Sequence, residues 1–158
     1  MEDIWLDEAQ EEAWRAFHAM RTRLLGHLSR RLAAQSGLSE ADYEVLVALS
    51  ESPDHRMRSR ELGRSLQWQR SRLSHQLDRM ETRGLLTREP CPTDARGCVA
   101  VLTDTGLGTI DRAAELHVAD VRHCFADVLT PSQLDGLTAA ARAITAHLEA
   151  DHPDDDRG

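Results

Sequence analysis

At 158 residues, 41% of them hydrophobic but only 4% aromatic, the chain can bury one core and forms one domain or one domain with an extension. A formal net charge of −8 excludes a generally basic coat for nucleic acid. No apolar run reaches bilayer length, so no membrane partner is expected, and three cysteines without C-x-x-C spacing behind an acidic N-terminus that lacks a signal-peptide layout fit a reduced, cytoplasmic setting.

The first predicted helix begins near Glu8, with Asp7 as cap and Gln10 in the capping-box position. Its stripe is Trp14, Phe17, Met20, Leu24, Leu28 and Leu32, and Gly37 stops it. Ser39 caps a second helix, with Asp42 three positions on, the stripe Tyr43, Leu46, Val47 and Leu49, and Pro53 after its end. A short third helix covers about 59–66, with Leu62 and Leu66 inward. Gln67, Trp68 and Gln69 make a turn, and a fourth helix runs over about 70–83 to Gly84, the expected left-handed stop.

Leu85 and Leu86 start a strand whose far end Pro90 and Pro92 bound, since neither donates to a ladder. Val99 to Leu102 returns. Thr103 opens a fifth helix with a stripe from Leu107 and Ile110 through Ala114, His117, Val121 and Phe125 to Val128. Thr130, Pro131 and Gln133 give the sixth helix its cap, its first-turn proline and its capping-box partner; Leu134, Leu137, Ala141, Ile144 and Leu148 follow. The polar tail from Asp151 is expected to fray.

Helix, turn, arginine-bearing helix and hairpin make a winged helix-turn-helix. The expected fold is therefore mainly α with a small β-hairpin wing (α+β). The lobe spans 39–103, flanked by N- and C-terminal dimerisation helices at 8–36 and 104–150. Dimerisation is inferred from shape: the terminal helices are amphipathic and lack a third layer within the chain. A second copy would cover their stripes and set two reading helices about one DNA turn apart.

Charge is distributed to match. From Arg56 to Arg96 ten arginines face five acids, a net +5, while the remainder carries −13. A basic segment on an acidic body is the footprint of localised phosphate binding to double-stranded DNA. Every one of the 19 basic residues is arginine, whose planar fork matches phosphates and guanine edges better than an ammonium does.

In the fourth helix Leu73, Leu77 and Met80 share one face, leaving Ser71, Arg72, Ser74, His75, Asp78 and Arg79 on the other. The N-terminal half of a reading helix reaches bases. Gln69, Arg70, Ser71, Arg72, Ser74 and His75 are the expected contact set, with Arg72 suited to a guanine edge and Arg79 to phosphate.

These residues resemble the MarR (multiple antibiotic resistance regulator) family over nearly the whole chain. The resemblance is carried by Gly37-Leu38-Ser39, Glu61-Leu62-Gly63, Ser71-Arg72-Leu73-Ser74, Arg83-Gly84-Leu85-Leu86, Asp94-x-Arg96 and Leu102-Thr103-x-x-Gly106. It implies a homodimeric regulator, usually a repressor relieved by a small ligand or an oxidant. It also implies that Arg96 enters the minor groove from the wing, positioned by Asp94. One departure is Arg58, which stands where a Thr or Ser often caps the third helix.

By the same resemblance, a ligand would lie between the terminal helices and the lobe. Trp14, Phe17, His18, Arg21 and Tyr43 are then candidates for a planar aromatic or phenolic effector, although packing explains Trp14 and Phe17 as well. Cys91 and Cys98 flank the wing tip, so a redox-responsive regulator is an alternative. Inert thiols, Cys124 included, are the plainer reading. Asp120, His123 and Cys124 share a helical face but lack paired metal-ligand spacing, so no metal and no cofactor is expected. A protein-binding winged helix without DNA is the other alternative. The arginine-rich outward face argues against it. An enzyme is not expected: there is no phosphate-binding glycine loop, nucleophile elbow or H-E-x-x-H.

Overall fold

The computed structural model describes residues 5–92 and 94–151, with the backbone alone at 94–96. Local caps set most boundaries. Asp7 and Gln10 exchange hydrogen bonds of 2.8 and 3.1 Å at the start of α1 (Glu8–Ser36), and Gly37, at φ 69°, ends it. Ser39 and Asp42 form the same box before α2 (Glu40–Glu51). A single 3-10 turn (Pro53–His55) leads to β1 (Arg56–Arg58), α3 (Ser59–Leu66) and α4 (Arg70–Thr82). The wing is β2 (Leu86–Cys91) and β3 (Asp94–Leu102). Then come α5 (Asp104–Cys124), a second 3-10 turn (Ala126–Val128) and α6 (Pro131–Asp151). Thr130 and Gln133 cap α6 reciprocally, as their spacing implies. Asp151 closes α6, and the rest of the tail expected to fray lies outside the described residues.

The fold class read from the sequence holds: a mostly helical chain with a small antiparallel sheet, in the order β1-β3-β2. Three details differ. β1 was not expected; its three residues pair with Val99, Ala100 and Val101 of β3, and only that pairing makes them a strand. The return strand begins at Asp94, not Val99, and β2 begins at Leu86 and runs through Pro90 to Cys91. β2 is an edge strand, so a proline without a donor is tolerated there, and the register slips between Pro90 and Cys91. The fifth helix stops at Cys124: Phe125 leaves helical geometry at φ −131°, ψ −62°, and Val128, the expected end of the stripe, is 66% exposed.

One core joins α2, α3, α4, the sheet and the start of α5. Val45, Leu46, Leu49, Leu62, Met80 and Leu86 are fully buried in it, and Leu32, Ile110 and Ala113 extend it toward α1 and α5. Each such leucine contributes roughly 1.5–3 kcal/mol of transfer free energy. α4 leaves this core through a Schellman turn: Leu85 N–H donates to the Met80 carbonyl (3.0 Å) and Gly84 N–H to that of Glu81 (2.9 Å). Gly84 sits at φ 73°, which its missing Cβ permits.

That turn is bolted to the start of α5. Thr103 donates from its hydroxyl to the Gly84 carbonyl (2.6 Å) and from its N–H to that of Leu85 (3.2 Å), while its side chain caps Gly106 N–H (3.0 Å). Further along, α5 meets α1, where the Arg31 guanidinium forks onto Asp120 at 2.9–3.2 Å. In contrast, α6 buries no residue, and Trp14 and Phe17 of α1 stand exposed with Ile144 and Leu148 of α6.

Candidate nucleic-acid interface

The turn between α3 and α4 is set by backbone geometry. Gln67 adopts φ 54°, and Trp68 N–H donates to the Gly63 carbonyl at 2.9 Å. α4 then presents two faces. Leu73, Leu77 and Met80 enter the core, as their spacing implies, and Gln76 enters with them. All seven α4-region residues expected at DNA, namely Gln69, Arg70, Ser71, Arg72, Ser74, His75 and Arg79, lie exposed. The structure thus brings this set together on one end and face of α4.

Two of these arginines are held in place by residues that the sequence reading left out. The Arg72 guanidinium lies 4.1 Å from the centroid of the Trp68 ring, a cation–π contact that limits the conformers of a long side chain. The signal was the four-residue step from Trp68 to Arg72. Arg79 donates to the Gln76 side-chain oxygen. Gln76, 2% exposed, donates in turn to Asp42 Oδ1 at 2.6 Å. A chain of polar contacts therefore runs from a buried carboxylate on α2 to a cation on the outward face of α4. Gln76 could have been found by its register with Leu73 and Met80.

Asp42 is also the counter-charge of Arg83, whose Nη1 lies 2.7 Å from Oδ2 and whose Nη2 donates to the Gly37 carbonyl at 3.1 Å. Burial pushes the Asp42 carboxyl up, but the Ser39 N–H, Arg83 and the Ser39 hydroxyl outweigh it and hold it below the usual carboxylate range.

Other arginines of the basic segment are tied within the lobe. Arg56 pairs with Glu89 at 2.6 Å, and Arg88 with Asp78 at 2.6 Å and Glu81 at 2.8 Å. The Glu81 hydrogen bond is the main reason that Arg88 is shifted up. Counting charges along the sequence therefore overstates the cation available to a ligand, and Arg72 and Arg79 on the outward face gain weight. α3 and α4 also start without a side-chain cap, at Arg58 and Gln69, unlike α1, α2 and α5. Their first N–H groups suit phosphate oxygens.

Asp94 and Arg96 stand on β3, in backbone placement only, and the ion pair expected between them lies outside the described side chains. The expected effector residues separate. Trp14 stacks with Phe17 (6.0 Å) and His18 (6.3 Å) on the exposed stripe of α1, where Arg21 is also exposed. Tyr43 instead contacts the His117 ring of α5 at 4.7 Å. None of the three cysteines is joined in a disulfide. Cys91 and Cys98 do not sit opposite each other: Cys98 pairs with Pro90 across the ladder and Cys91 with Asp94, because of the register slip. Asp120 is engaged by Arg31, which with help from His27 and His117 keeps its carboxyl low against the effect of burial. No helix among the described residues is long and apolar enough to cross a membrane.

Comparison with known proteins gives a consistent picture. The sequence profile of the MarR family matches residues 36–97. The HTH-type transcriptional regulator PecS of Dickeya dadantii (strain 3937) is 32% identical over 113 residues, covering 71% of this chain and 65% of that protein. The crystal structure of AbsC, a MarR family transcriptional regulator from Streptomyces coelicolor, superposes with a TM-score of 0.87 at 41% identity, covering 94% of this chain and 99% of that one. Sco3205, a MarR family transcriptional regulator of the same organism solved in complex with DNA, gives 0.86 at 40% identity, covering 91% and 94%.

Proposed function

The chain belongs to the MarR family of transcriptional regulators, and from that premise we propose that it acts as a homodimeric repressor on a pseudo-palindromic operator. The observation that carries this reading is the outward face of α4, where Arg72 on its Trp68 platform and Arg79 on Gln76 stand beside Ser71, Ser74 and His75. Arg72 reads a base edge, Arg79 holds phosphate, and Arg96 reaches the adjacent minor groove from the wing. That Sco3205 is solved in complex with DNA supports DNA as the partner. The homodimer is supported by the apolar residues that α1 and α6 leave exposed, among them Trp14, Phe17, Ile144 and Leu148. A small effector acting on the lobe releases the operator.

The test is selection from random duplex DNA by the purified protein at moderate salt. Enrichment of an inverted repeat with half-sites about one helical turn apart is the expected result. Absence of any enriched sequence across a salt series would reject the reading. On the selected duplex, Arg72→Ala should relax preference at one position of each half-site, removing about 1–3 kcal/mol of discrimination. Arg96→Ala should weaken binding with less change in major-groove preference. If both variants bind as the parent does, the contact assignment is wrong.

Arg79→Ala gives a separate readout. It should weaken binding to all sequences alike and reduce the slope of log K against log salt by about one. A changed sequence preference with an unchanged slope would place Arg79 on a base instead.

A further inference from the structure

The winged-helix lobe holds an open cavity of about 590 Å³ between α2, the turn at Pro53, β1 and α3. Its apolar walls include the Tyr43 ring, Val47, Met57 and Leu66, and its charged groups are Glu44 and Glu51. No lining residue is basic. The sequence expectation instead grouped Tyr43 with the cationic Arg21 around a planar aromatic or phenolic effector. Burial dominates the electrostatics of both ionisable groups on the α2 wall, with acidic neighbours adding to it. Burial and the Glu51 charge push the Tyr43 phenol up. Burial and Glu40 push the Glu44 carboxyl up, against the pull of Arg72.

We propose that this cavity binds a small organic cation with an apolar body, its charge between Glu44 and Glu51 and its apolar part against Tyr43, Met57 and Leu66. A pocket with mostly apolar walls and a few convergent polar groups is the usual form of a small-molecule site, and here both ionic groups have one sign. The Tyr43 ring adds a cation–π face. An aromatic carboxylate of the same size meets two like charges and is rejected. Arg72 is the arginine that acts on Glu44, so a second positive charge at that carboxylate perturbs the residue that reads DNA. The regulatory half of this inference rests on the reading of α4 as the DNA-reading helix; the binding half does not.

The experiment is isothermal titration of the full chain with benzyltriethylammonium, with benzoate as the anionic counterpart. The expected result is saturable binding of the cation, none of benzoate, and at least a tenfold loss of cation affinity in the Glu44→Gln/Glu51→Gln double variant at an unchanged melting temperature. Glu51→Gln alone, at an exposed position, serves if the double variant does not fold. Absence of cation binding, equal binding of benzoate, or unchanged affinity in the variants would overturn the site. Repeating the duplex-binding measurement with the cation present should lower DNA affinity for the parent and not for the double variant. If no duplex binds at all, the DNA reading fails while the calorimetric result still decides the site.

Discussion

Gly106→Ala is expected to cost about 3 kcal/mol of stability, at the upper end of what overpacking one methyl group does. A Cβ built at this position falls 1.9 Å from the Leu85 carbonyl oxygen, 2.8 Å from Leu102 Cδ1 and 2.9 Å from the Leu85 carbonyl carbon. The first and third of these are backbone atoms, so no rotamer change relieves the clash. Leu85 cannot retreat cheaply either. Its carbonyl accepts from Thr103 N–H, its own N–H closes the Schellman turn onto Met80, and its side chain is buried. Relief therefore means parting α5 from the end of α4, with loss of the Thr103 cap and its bond to Gly84. For a chain of this size the melting temperature should fall by roughly 6–12 °C. Gly108→Ala is the control: it meets only a flexible Arg112 nitrogen at 3.5 Å and should be nearly neutral. Equal melting temperatures for Gly106→Ala and the parent would show that the junction is softer than its hydrogen bonds imply.

The second large effect is at Asp42. Its removal leaves Gln76 with an unmet buried donor, leaves Arg83 without its carboxylate, and breaks the α2 capping box. Leaving the buried Gln76 donor unmet costs about 1–3 kcal/mol and losing the cap about 1 kcal/mol, while half-exposed Arg83 is taken up by water. Asp42→Ala is therefore expected to destabilise by about 2–4 kcal/mol in urea titration. Asp42→Asn separates charge from shape. Because the folded Asp42 carboxyl lies below its unfolded value, its contribution is complete above the unfolded value and is lost as pH falls through the folded one. The gap between parent and Asp42→Asn should be widest at neutral pH and shrink on acidification below the usual carboxylate range. A gap independent of pH would mean that Asp42 acts through hydrogen-bond geometry and not through its charge. If Arg79 holds phosphate as proposed, Asp42→Ala should also weaken DNA binding through it, since Gln76 loses its anchor, whereas Asp42→Asn keeps an acceptor for Gln76 and should not.

Much of this architecture was legible because it is locally encoded. The pairs Asp7/Gln10, Ser39/Asp42 and Thr130/Gln133 sit at the one spacing that lets each side chain reach the other's backbone, and all three do so. The exposed set on α4 followed from Leu73, Leu77 and Met80 facing inward. What escaped was decided by distant parts of the chain. Arg56–Arg58 has no strand signature and becomes β1 only because β3 offers a free edge. The register of Gln76 with Leu73 and Met80 places it inward, but its partner Asp42 is 34 positions away. Asp42 itself read only as a cap, since nothing local announces Arg83. The family resemblance groups Tyr43 with the α1 aromatics, whereas packing turns it toward His117 and an acidic cavity.

The bolt between Gly84, Leu85 and Thr103 has a mechanical consequence. A chain that passes from wing to long helix without slack has no hinge there, so the lobe and the start of α5 are held as one body. Any tilt of the lobe against α1 would then be taken up not at the junction but farther along α5, where the Arg31–Asp120 fork joins α5 to α1. A small tilt at that grip sweeps α4 through a larger arc, in proportion to the length of helix between them. Sequence changes near Asp120 would thus alter the set of α4 without touching a single residue on its outward face.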